Sequence, residues 1–199
     1  MTPVAIVRLM VAALLIALCA VFRVLLESDP VTHVIVQLPV LAFAGWLAAG
    51  AFPVSKAVAW RYDAGGLAGV QALIFTVAFW MLPRSIDGAL DEPMMEFAKF
   101  VSIPLLVGAP AAWSWPRLQP VLRGFLKANA ISMMGILAFL YTHAPIRICN
   151  SYLVSDQERL GMAFLCVSFG LSIFWTLPLF LGKRPWFFGR FYAPRNAQI

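Results

Sequence analysis

The chain has 199 residues, of which 62% are hydrophobic and 12% charged, and its formal net charge is +6. A soluble domain carries roughly 45–50% apolar and about 25% charged residues, so a water-soluble fold would lack the polar side chains to cover its surface, and intrinsic disorder is excluded by the high hydrophobicity. Three cysteines, all in or beside apolar segments, argue against a disulfide scaffold.

A membrane-crossing helix needs about 20 mostly apolar residues. Six such spans are predicted in chain order: 4–26, 33–52, 66–82, 97–115, 121–141 and 160–181. The expected fold class is an all-α integral membrane protein, a single polytopic domain of about six transmembrane helices over residues 1–199. The first span resembles a signal peptide, with Arg8 before an apolar run. The run continues to Leu26, however, and no small-residue cleavage pattern precedes Arg23. Leu18 is too bulky for a lipoprotein box ending at Cys19, so an uncleaved helix is expected.

The cations predict the orientation. With the N-terminus inside, the inner segments hold Arg8, Lys56, Arg61, Arg117, Arg123, Lys127, Lys183, Arg184, Arg190 and Arg195. That is ten of the fifteen Lys and Arg, which favours N-in and C-in by the positive-inside rule. The basic excess then faces anionic membrane lipid, not nucleic acid. A multi-pass protein of the bacterial inner membrane is expected. The acids fall on the opposite, outer side: Glu27, Asp29, Asp87, Asp91, Glu92, Glu96, Asp156 and Glu158, with only Asp63 inside.

In lipid, an ionisable or strongly polar side chain is a functional hypothesis by default. The candidates gather at the outer end. His33 opens span 2, and Gln37 lies one turn deeper on the same face. His143 ends span 5, and Cys149 follows it. Met95 precedes span 4, Glu96 and Lys99 stand at its mouth, and Asp87 lies upstream. Asp156 and Gln157 lead into span 6. Imidazole, thiolate and thioether together suit copper, Cu(I) above all. A metal set of His33, His143, Cys149 and Met95 is therefore expected, with Gln37, Asp87, Glu96, Lys99, Asp156 and Gln157 as further polar groups.

Plain structural readings stand beside these. His33 and His143 serve equally as helix-end residues at the membrane interface. Cys19, Cys166 and Met95 read as packing residues. Glu96 and Lys99, three apart, read as a local ion pair. Pro39, Pro104, Pro110 and Pro178 favour kinks, and Gly45, Gly108, Gly135, Gly161 and Gly170 permit close helix approach. No nucleophile–base set, phosphate loop or metalloprotease helix is present, so no enzyme is expected. Two alternatives remain: a b-type haem held by the two histidines, and a small channel or transporter lined by Gln37 and Gln71.

Four patches resemble a known family. Residues 81–90, Met-Leu-Pro-Arg-Ser-Ile-Asp-Gly-Ala-Leu, look like the WHxP-x-x-x-D-x-A-L stretch of the CtaG-type cytochrome c oxidase assembly factors, associated with caa-type oxidases. Residues 93–115 resemble that family's next helix. His33 to Pro39 is similar to its HxxxH helix, and Ser155 to Gly161 to its DQ-x-x-x-G stretch. The resemblance implies a membrane accessory protein of the respiratory chain. It would handle copper at the periplasmic face, with terminal oxidase subunits or a copper chaperone as partners, or bind an oxidase subunit without metal. Two departures stand out. Gln37 takes the place of the second histidine of HxxxH, and Glu96 and Lys99 take the places of two more. An ammonium offers only donors and cannot ligate a metal.

Overall fold

The computed structural model describes residues 2–52, 54, 61–143 and 152–181. Among these, the regular elements are all helices. Helix α1 (Pro3–Val21) starts where sequence chemistry favours a start. Thr2 Oγ1 accepts the Ala5 amide at 3.3 Å, and Pro3 occupies the first turn. The predicted first span does not run unbroken to Leu26. Phe22 leaves the helical region, and a short helix α2 (Arg23–Glu27) follows.

Helix α3 (Thr32–Ala49) opens with a wide π turn over Thr32–Gln37. Helix α6 (Pro93–Arg117) contains a second such turn over Ile103–Gly108. Both have one cause. Leu38 donates five residues back to the His33 carbonyl, and Ala109 to that of Pro104. Each is followed directly by a proline, Pro39 and Pro110, which has no amide to continue the ladder.

Helix α4 (Leu67–Trp80), entered through the turn Ala64–Gly66, meets helix α5 (Pro83–Asp91) at a bend of 73°. Residues 83–91 are thus a helix and not a simple loop. Its Ser85, Ile86, Asp87 and Ala89 are buried, so it lies against one end of the bundle. Helices α7 (Pro120–His143) and α8 (Val154–Phe180) pack mainly on each other. Five of these helices are long and apolar enough to cross a membrane, or six if α4 and α5 form one bent span. Large apolar residues such as Val7, Phe75, Phe169 and Phe174 face outward, as lipid-facing surfaces do.

The core joins α1, α3, α4, α5, α6, α7 and α8 through Cys19, Leu41, Trp80, Ile86, Ile103, Tyr141 and Leu160. Helices α3 and α6 touch backbone to backbone. A Cβ on Gly45 would lie 2.2 Å from the Pro104 carbonyl oxygen, and one on Gly108 2.4 Å from that of Ala42. A Cβ on Gly161 would lie 2.7 Å from the Thr142 methyl. Gly135 and Gly170 are different: a Cβ there would meet nothing within 4 Å, so the close approach expected at these two does not occur.

One end of the bundle is closed around Asp63. Its carboxylate accepts the Gly69 amide at 3.0 Å and Ser114 Oγ at 2.7 Å, and pairs with Arg117. The polar residues of interest lie at the other end.

Candidate functional site: a buried lysine cluster

Lys99 lies in the second turn of α6 and is fully buried. An isolated buried ammonium costs several kcal/mol, roughly, so it must be paired and hydrogen-bonded. Three groups meet it. Glu27 Oε1, at the end of α2, lies 2.5 Å from Nζ. His33 Nε2 and Gln37 Oε1, from the π turn of α3, each lie at 3.3 Å. The three ammonium protons thus have three acceptors.

The hydrogen bonds also assign the imidazole tautomer. Tyr152 donates its hydroxyl proton to the Glu27 carbonyl at 2.8 Å. It therefore accepts from His33 Nδ1, 3.1 Å away. The proton sits on Nδ1, and the Nε2 lone pair faces Lys99. Gln37 completes the network by donating Nε2–H to Glu27 Oε1 at 3.1 Å. Glu27 retains 12% side-chain exposure and is the cluster's contact with the outside. The centre carries one positive and one negative group.

Around it lies a rim of more exposed pairs. Arg23 pairs with Glu96, and Arg159 reaches Asp29 at 3.3 Å and Asp156 at 3.6 Å. The expected Glu96–Lys99 pair along one helix is not formed. Each partner finds a non-local charge: Glu96 that of Arg23, Lys99 that of Glu27.

Of the residues expected at the site, His33, Gln37 and Lys99 come together, with Glu96 on the rim. Asp87 is buried on α5. Asp156 accepts the Leu153 amide at 3.3 Å and caps α8. Gln157 is buried and donates to the Tyr141 carbonyl at 3.5 Å, tying α8 to α7. Met95 packs on the core, with its side chain against Gly88. His143 is exposed on the last turn of α7. Its Nδ1 lies 2.8 Å from Thr142 Oγ1, and its ring stacks on Phe139 at 4.5 Å. Cys149 lies outside the described residues. Glu27 and Tyr152 are members of the cluster that the sequence did not single out. The one available hint was an acid closing an apolar run.

Among the described residues, no group of three or more His, Cys, Asp or Glu is placed to hold a metal. His33 is the nitrogen donor nearest the centre, and its free lone pair faces an ammonium. His143 and Met95 are each engaged elsewhere. Haem ligation by His33 meets the same obstacle, because both ring nitrogens are already engaged.

Compared with models of known families, with curated proteins and with solved structures, the chain matches none.

Proposed function

We propose that the protein is a membrane-embedded accessory factor of the CtaG type, acting in terminal oxidase assembly by holding an oxidase subunit and not by carrying copper at the His33 centre. It would sit in the bacterial inner membrane with both termini inside. One observation carries this reading. The patches that resemble the family are far apart in the chain, yet their polar side chains meet at one end of the bundle. His33 and Gln37 of one patch contact Lys99 of another. Tyr152, three residues before the patch at 155–161, fixes the His33 ring. A scaffold that gathers dispersed polar residues under a charged rim is suited to docking a partner. Its filled centre argues against metal delivery by these residues.

Two measurements test this reading. Deleting the gene should lower terminal oxidase activity in isolated membranes, and the wild-type gene should restore it. Unchanged oxidase activity would remove the assembly role. Anaerobic loading of the purified protein with Cu(I) should leave well under one copper per chain. A full equivalent that disappears in His33→Ala would reinstate a copper-handling role.

A further inference from the structure

The Lys99 ammonium sits where three atoms of metal-ligand type meet. A carboxylate oxygen from α2 and an imidazole nitrogen and a carboxamide oxygen from the π turn of α3 converge on the one ammonium that α6 supplies. The imidazole also has the support typical of a metal ligand. Its second nitrogen is held by a hydroxyl that is itself held by a backbone carbonyl, and such outer contacts fix the tautomer and aim the lone pair inward. The lone pair, the carboxylate and the amide oxygen are all aimed at a single positive charge.

We propose that Glu27, His33 and Gln37 form a cation site whose resident cation is the Lys99 ammonium, and that this site takes a divalent first-row ion such as Zn²⁺ or Co²⁺ once the ammonium is removed. One imidazole nitrogen and two oxygens form a borderline-hard ligand set, unlike the sulfur-rich set that suits Cu(I). Three protein ligands leave a fourth position for water, the arrangement of an open zinc site. Metal–ligand distances of about 2.0–2.2 Å ask the His33 and Gln37 donors, 3.3 Å from Nζ, to close in by roughly 1 Å, and Glu27 by less. Glu27 and Gln37 have flexible side chains, and the exposed edge of Glu27 offers a way in. In the native chain the lysine keeps this site shut to metals, so the end of the bundle is held without any metal supply. The site stands whether or not an oxidase is the partner.

The test uses full-length protein in detergent micelles with Co²⁺ as the probe. Wild type should show none of the intense d–d absorption of protein-bound Co²⁺ above the weak bands of the hydrated ion. Lys99→Ala should show it, saturating at about one Co²⁺ per chain, and should regain on loading part of the thermal midpoint lost by the substitution. The double variant His33→Ala/Lys99→Ala should bind none. A folded Lys99→Ala that binds no Co²⁺ overturns the proposal, as does binding that survives loss of His33. Should Lys99→Ala fail to accumulate in membranes, it is expressed with Co²⁺ in the medium. Recovery of the protein supports the proposal. Failure with the metal also overturns it, because the ion then cannot replace the ammonium.

Discussion

Lys99 and Arg23 each pair with a glutamate, but the two pairs differ in what surrounds them. Arg23 is 51% exposed, so water and salt screen its pair with Glu96. Arg23→Gln should leave the thermal midpoint in detergent unchanged within error. Lys99 has no exposure, and its removal strands the Glu27 carboxylate among protein groups. Breaking one side of a buried pair costs about 3–5 kcal/mol, and the partial exposure of Glu27 places Lys99→Met near the lower end. Neutralising the carboxylate as well, in Glu27→Gln/Lys99→Met, should recover part of that loss. A double variant no better than the single would show that Lys99 acts by packing alone. Tyr152 gives a smaller effect of the same kind. Tyr152→Phe leaves the His33 Nδ1–H buried without its acceptor, at about 1–3 kcal/mol. It should lower the midpoint less than Lys99→Met does.

At the scale of elements, the backbone contact between α3 and α6 sets the position of the cluster. It brings the π turn carrying His33 and Gln37 against the helix carrying Lys99. Gly45→Ala would drive a methyl into the Pro104 backbone, which cannot yield as a side chain can. Overpacking of this kind costs about 1–3 kcal/mol or more, and Gly45→Ala and Gly108→Ala should each lower the yield of folded protein. Gly170→Ala meets open space and should be neutral, or stabilising by up to about 1 kcal/mol through helix propensity. Equal losses at Gly45 and Gly170 would refute this distinction. The sequence placed the long helices well, because an apolar run of about 20 residues is a local signal. The His33–Gln37 pair was legible for the same reason, lying one turn apart. Helix α5 was not, because nine amphipathic residues fall short of any span criterion. The Lys99–Glu27 pair was also hidden. Its partners lie 72 residues apart, while Glu96, three residues away, offered a local pair that the fold does not use. Likewise, five helical glycines look alike as letters, and only the packing separates Gly45 and Gly108 from Gly170.

For the whole molecule, the two ends differ in charge, and this makes orientation testable. Helix α6 has 25 residues, so at 1.5 Å per residue it extends roughly 37 Å, more than the approximately 30 Å of a hydrocarbon core. Its first turn lies beside Asp91, Glu92 and the lysine cluster. Its last turn pairs with Asp63 through Arg117. On the proposed membrane reading these two ends lie on opposite sides of a bilayer. The cations Arg8, Arg61, Arg117 and Arg123 belong with the Asp63 end, so the positive-inside rule predicts that this end faces the cytoplasm. Asp91 and Tyr62 are both exposed and mark the two sides. With Cys19, Cys149 and Cys166 replaced by Ser, Asp91→Cys should react with a membrane-impermeant maleimide in cells whose inner membrane is intact. Tyr62→Cys should react only after that membrane is opened. The reverse pattern would put the lysine cluster on the cytoplasmic side, out of reach of any periplasmic partner, and the assembly role proposed above would fail with it.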